Sequence, residues 1–222
     1  MLGVIVNALS VVFGSVIGLL IKRVLIDNIR TVIAQAIGIS VLCVGVLDMI
    51  KTVDILKLVL SFAIGGLIGG LLLIGKRMDK FGDFLKRKLS PDSDSPVGEG
   101  FVTATLIFCV GGMVVYGSIN AGLGNNETLF VKSVMDGFTA LVLTTTLGWG
   151  VMLSSIPVLV IQGLFALFAS AISPIATDAF INQLSGIGGV MVFAIGINLL
   201  EIKKIRVADM LPAILGAFLV LI

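Results

Sequence analysis

The feature that most constrains this chain is a stretch with no charged residue from Gly137 to Thr177, closed by Asp136 before it and Asp178 after it. A run of about 40 such residues is twice the roughly 20 that a helix needs to cross a hydrocarbon core. Ser154-Ser155-Ile156-Pro157 supplies a turn in its middle, so the run reads as two spanning helices. Its polar groups are costly against acyl chains and should face protein, water or a ligand. They are Thr139 beside Asp136 at one end, Thr144-Thr145-Thr146 at mid-depth in the first helix, and Gln162 at mid-depth in the second.

Composition agrees with this reading. The 222 residues are 58% hydrophobic and 13% charged, with a mean hydropathy of +1.19, which no water-soluble domain could carry without large apolar patches. The chain reads as an integral membrane protein whose first partner is the lipid bilayer. Histidine is absent and the two cysteines, Cys43 and Cys109, lie in separate apolar runs, so the usual zinc and Cys-His constellations are not available. No cofactor is implied, and a net charge of +2 gives no ground for a nucleic-acid partner. Residues 1–21 lack a basic start and are followed by Lys22-Arg23, the pattern of a retained first span.

Eight apolar runs follow one another near 3–21, 31–49, 55–74, 101–119, 137–153, 156–172, 184–200 and 207–222. The expected fold is an all-α membrane protein of eight transmembrane helices, forming a single domain over 1–222. With eight spans, alternate connections hold 12 of the 15 Lys and Arg residues and all remaining positions hold 3, so the positive-inside rule places both termini outside. Residues 76–100 carry Met78, Phe81, Leu85 and Leu89 at helical spacing opposite basic side chains, then a Ser/Pro/Asp-rich linker. They read as a helix on the inner membrane surface and a flexible loop. Small residues at four-residue spacing (Ser10/Gly14/Gly18, Gly65/Gly69, Gly66/Gly70, Ser185/Gly189) form ridges for close helix packing, and leave a homodimer open. A shift of 151 positions aligns Gln35–Leu47 with Gly186–Asn198, matching Gly38 to Gly189 and Gly45 to Gly196. Spans 6–8 would then repeat spans 1–3 upside down around a central pair, an arrangement common in secondary transporters.

Several blocks carry a family resemblance: VNALSVVFGSVIGLLIK (from Val6), EGFVTATLIFCVGGMVVYGSI (from Glu99), KSVMDGFTALVLTTTLGWGV (from Lys132), PVLVIQG (from Pro157) and GINLLEIKKIRVADMLPA (from Gly196). Together they resemble the bacterial and archaeal membrane proteins of domain-of-unknown-function family 554. The resemblance implies a protein of the prokaryotic cytoplasmic membrane, with transport as a candidate activity, and supplies neither substrate nor catalytic residue.

The candidate site residues follow from buried polarity. Asp136, placed at the outer start of span five, reads either as a helix N-cap or as an ion ligand lining a vestibule with Thr139 and Asn120. Asn120 belongs to GSINAGLGNNE, whose glycines suggest an interrupted or re-entrant end to span four. Thr144, Thr145 and Thr146 can return their hydroxyls to backbone carbonyls or line a path, and Gln162 cannot satisfy its amide on its own helix so readily. Asn7 and Asn198 are secondary candidates that can simply bond a neighbouring helix. Asp48 and Glu201, at span ends, read as solvated. The leading expectation is a non-enzymatic transporter or channel for a small solute or ion along spans 4–6; the alternative is a structural or regulatory membrane protein.

Overall fold

Among the described residues six segments are long and apolar enough to cross a membrane, and two shorter helices form a sharply bent pair. The computed structural model describes residues 1–22, 27–89 and 97–221. The order is α1 (Leu2–Lys22), α2 (Asp27–Met49), α3 (Ile55–Leu72), α4 (Ile74–Leu89), α5 (Val97–Cys109), α6 (Gly112–Gly122), α7 (Glu127–Leu147), α8 (Gly150–Leu153), α9 (Ser155–Leu167), α10 (Ala169–Ile172) and α11 (Asp178–Leu199). A 3₁₀ helix, Val207–Leu221, closes the chain. The candidate spans are α1, residues Thr31–Met49 of α2, α3, α7, α8 with α9 as Gly150–Leu167, and α11.

The all-helical class is as expected; of the eight expected spans, six stand as continuous helices long enough to cross a membrane, and the other two apolar runs take different forms. The fourth apolar run is broken: α5 and α6 meet at 64° about Val110-Gly111. Gly111 has φ +136, a backbone that only glycine adopts without strain, so the chain turns there. The expected interruption near Asn120 does not occur; that segment stays helical to Gly122. The eighth run is the 15-residue 3₁₀ helix. At a rise of about 2.0 Å per residue such a helix reaches about 30 Å, close to the hydrocarbon thickness. It runs antiparallel to α3: Lys57 Nζ donates to the Leu219 carbonyl at 2.7 Å, and Ser61, Gly65 and Gly69 lie against Gly216, Ala213 and Asp209.

Boundaries in the long uncharged run shift too. Its first helix starts at Glu127 rather than Gly137 and ends at Leu147, where Gly148 with φ +75 reverses the chain. Pro157 falls in the first turn of α9, where a missing N–H costs nothing, so of the turn expected at Ser154–Pro157 only Ser154 is a turn residue and the rest is helix.

α11 is the hub, buried along most of its length. Its glycines make this possible: Gly189 and Gly196 meet α2 at Met49 and Leu42, and Gly188 meets the α5–α6 break at Gly111. α1 runs parallel to α7 with Gly14 against Gly137 and Gly18 against Leu141. Large side chains such as Phe13, Leu67, Leu71 and Val134 point outward, an apolar exterior suited to acyl chains. The amphipathic helix expected from residue 76 is α4, which packs on α5 through Gly82 against Gly98 and Phe81 against Phe101 (5.7 Å between ring centroids). Residues 90–96, the core of the expected flexible loop, lie outside the described residues.

Candidate functional site

α7 places a charge pair where a membrane helix would ordinarily carry none. Lys132 and Asp136, four residues apart, stack on one face, and Lys132 Nζ donates to both carboxylate oxygens at 2.8 and 2.6 Å. Each residue is only 6% exposed. Asn7 of α1 donates its side-chain N–H to Asp136 Oδ2 at 2.9 Å, adding a third hydrogen bond to the carboxylate. Asp136 is therefore not an N-cap: α7 begins well before it, and the residue lies in the helix interior. The pair explains the misplaced boundary, because two opposite charges that neutralise each other can enter a span that either alone would terminate.

Lys132 and Asp136 open onto a cavity of about 670 Å³. Its walls come from α2 (Ile37, Ser40, Val44), the α5–α6 break (Val110, Gly111), α7 (Thr139, Val142, Thr145) and Val192 of α11. Asp48 and Lys51, joined at 2.6 Å where α2 ends, line it as well. Asp48 was expected to be solvated, and it is partly exposed while sharing this wall. The cavity thus has a mostly aliphatic body, two ion pairs and a helix break. At such a break the C-terminal end of one half-helix and the N-terminal end of the other carry partial charges of opposite sign, the device by which discontinuous membrane helices hold ions.

Of the expected site residues, Asp136, Thr139 and Thr145 meet at this cavity. Thr144, Thr145 and Thr146 each return the hydroxyl to a carbonyl three or four residues back (Ala140, Val142 and Leu143, at 2.7 to 3.0 Å). Asn120 lies in the last turn of α6, its carbonyl accepting from Asn125 N–H, away from the cavity wall. Asn198 closes the loop after α11 through paired bonds with the Ile205 backbone at 2.8 and 2.7 Å.

Gln162 points into the bundle and is fully buried, yet it does not line the cavity. Neither its Oε1 nor its Nε2 has a protein partner, and the same holds for Asn7 Oδ1 and Ser118 Oγ. α6 and α9 pack with Gly122 against Ala166, so one turn back Ser118 stands level with Gln162. Val4, one turn before Asn7 on α1, clusters with Ala166, one turn after Gln162 on α9. With Asn7 bonded to Asp136, these unpaired groups form a buried polar layer outside the cavity lining.

Sequence reasoning missed Lys132, Gly111 and Gln183. Gln183, also fully buried, accepts from the Val53 and Asp54 N–H groups at 3.1 and 3.0 Å and donates to the Asp54 carbonyl, fixing the α2–α3 turn. The four-residue Lys–Asp spacing was the signal that would have revealed the pair.

Comparison with known proteins covers the whole chain. The profile described as "Protein of unknown function (DUF554)" matches residues 2–222. The chain belongs to this family. One relative, "Uncharacterized protein YqgA" of Escherichia coli K12, is 31% identical over 221 residues, covering 97% of this chain and 94% of its own length. Another, "Uncharacterized membrane protein YdfK" of Bacillus subtilis 168, is 29% identical over 220 residues, covering 97% and 93%. No solved structure matches. The family resemblance seen in the sequence blocks is thereby shown, and the membrane character fits both the relative's name and the apolar helices.

Proposed function

We propose that this family member moves a small charged solute or ion across the membrane, through the cavity between α2, the α5–α6 break, α7 and α11. The observation that carries the reading is the buried Lys132–Asp136 pair opening onto that cavity beside a broken helix. A buried ion pair adds little net stability compared with apolar side chains of similar volume, so its position on a cavity wall calls for another role. Opposite charges with a common hydrogen bond can separate to engage a charged ligand and re-form when it leaves.

The inverted repeat belongs to the same proposal. With a shift of 151 positions α2 corresponds to α11 and α3 to the 3₁₀ helix, and each packs against its counterpart. Gly45 lies against Phe193 while Gly196 lies against Leu42; Gly38 lies against Leu200 while Gly189 lies against Met49. Each contact is the other with the two repeats exchanged, which supports a pseudo-two-fold axis through the α2–α11 crossing and, with the 3₁₀ helix as the eighth crossing, a transporter-like plan.

The test is thermal unfolding of the detergent-solubilised protein against a panel of inorganic ions and small charged metabolites, followed by flux of any hit in liposomes. A ligand at a hundredfold excess over Kd stabilises by about 2.7 kcal/mol. The expected result is a hit that is lost in Asp136→Asn and in the cavity-filling Thr139→Trp and that crosses the reconstituted membrane. Hits unaffected by both variants, or no flux above protein-free vesicles, would remove the reading.

A further inference from the structure

Two basic stretches far apart in sequence converge at one corner of the bundle. The first follows α3: the chain turns at Leu73, which has φ +52, and α4 departs with Lys76, Arg77 and Lys80 in its first turns. The second is Lys203-Lys204-Ile205-Arg206, just before the 3₁₀ helix. Asp209 fastens them together. Its Oδ1 accepts the Gly75 N–H at 2.7 Å, and the Arg206 guanidinium lies 2.5 Å from Oδ2. The carboxylate is buried on the protein side of the corner, and the Asp209 backbone presses on Gly69 of α3, so the elbow has a fixed shape. The cations, in contrast, are all exposed.

Between the end of α3 and the start of α4 lies a pocket of about 190 Å³, lined by Leu71, Leu72, Leu73, Lys76, Arg77 and Lys80. One side is aliphatic and the other carries three positive charges. Asp79, also on α4, is absent from this wall. The corner stands where a span ends, the depth at which lipid phosphates meet acyl chains. We propose that this elbow is a binding site for an anionic phospholipid, with the phosphate held by Lys76, Arg77 and Lys80 and supported by the positive charge of Lys203 and Lys204, while Arg206 stays paired with Asp209. The acyl chains descend along Leu71, Leu72 and Leu73. A free phosphate would engage the cations alone and leave the three leucines, 75%, 48% and 42% exposed, without a role.

The experiment is lipid binding to the detergent-solubilised protein by native mass spectrometry, comparing phosphatidylglycerol with phosphatidylcholine, with inorganic phosphate as competitor. The site variant is Lys76→Gln/Arg77→Gln/Lys80→Gln; its charge-matched control is Lys86→Gln/Arg87→Gln/Lys88→Gln. Each basic group near an anionic surface is worth about a fivefold change in binding. The wild type is expected to favour phosphatidylglycerol by at least about tenfold, the site variant to lose most of that preference, and the control to keep it within about threefold. The proposal is overturned if both triple variants lose the preference equally, if the wild type shows none, or if inorganic phosphate displaces the lipid. None of these results depends on flux through the central cavity, so this proposal and the transport reading fail separately.

Discussion

The buried pair on α7 makes the sharpest stability prediction. Asp136 accepts two bonds from Lys132 and one from Asn7, and both charged residues are 6% exposed. Removing one partner leaves the other charge uncompensated in a low-dielectric interior, which costs about 3–5 kcal/mol. Asp136→Leu and Lys132→Met should each lose that amount. The double variant removes both charges and leaves only Asn7 Nδ2 without its acceptor, a loss of about 1–3 kcal/mol offset by the apolar replacement, so it should lie within about 2 kcal/mol of wild type. The cycle therefore predicts a coupling of at least about 4 kcal/mol between the two sites. Unfolding midpoints of the four proteins in one detergent, read from intrinsic fluorescence or from loss of the monodisperse chromatographic peak, measure it. Single variants that each cost under about 1 kcal/mol, or a double variant as damaged as the sum of the singles, would refute the geometry on which the site is built.

The two interleaved glycine ridges of α3 should behave oppositely. A Cβ on Gly65 or Gly69 would overlap Ala213 or Asp209, so alanine there should cost about 1–3 kcal/mol, whereas Gly66 and Gly70 face open space and alanine should be neutral or stabilising by up to about 1 kcal/mol; equal thermal shifts in the four variants would contradict the α3 packing. A high-resolution experimental map should show ordered water within hydrogen-bonding reach of Gln162, Ser118 and Asn7 Oδ1, because buried polar groups without protein partners recruit it; a dry Gln162 would count against the buried polar layer. In a background lacking Cys43 and Cys109, a membrane-impermeant thiol reagent applied from the cytoplasmic side should label Ser93→Cys and miss Asn125→Cys. The reverse pattern would invert the orientation drawn from the basic residues.

What could be read from the sequence is what depends on composition over a whole turn or more: the helical class, the apolar runs and the amphipathic helix after α3. What could not be read depends on pairs. Lys132 and Asp136 each look like a loop residue by charge alone, and only their joint burial on α7 shows that the span starts at Glu127. Ser154–Pro157 looks like a turn by residue type, yet proline in a first helical turn is harmless, and the reversal occurs at Gly148 instead. Small residues were taken as packing surfaces, which holds for Gly14, Gly18, Gly65, Gly69 and Gly189 but not for Gly66 and Gly70, because α3 carries two identical-looking ridges and the sequence does not say which faces the 3₁₀ helix. Among the site candidates, Asp136, Thr139 and Thr145 reach the cavity because they share a face of α7, whereas Gln162 faces a different layer. Its polarity was visible in the sequence; its direction depended on the α1, α6 and α9 contacts.

The coincidence of the helix break with the charge pair has a physical logic. A continuous fourth span would satisfy its backbone groups internally and leave Lys132–Asp136 facing an inert wall. Breaking it at Gly111 places the end of α5 and the start of α6 on the wall of the cavity that the pair lines, and backbone groups left open at a helix end need partners where bulk water is scarce. α11 tolerates the break because Gly188 lets its backbone approach Gly111, while Ser185 and Ile181 sit against Gly112. Filling that contact should therefore affect more than packing. In Gly188→Leu, α11 must move away from Gly111, the cavity wall shifts, and any stabilisation by a ligand that depends on Asp136 should weaken even though Asp136 keeps its bonds to Lys132 and Asn7. A Gly188→Leu protein that stays folded and retains full ligand-induced stabilisation would separate the break from the charge pair and reduce the site to α7 alone.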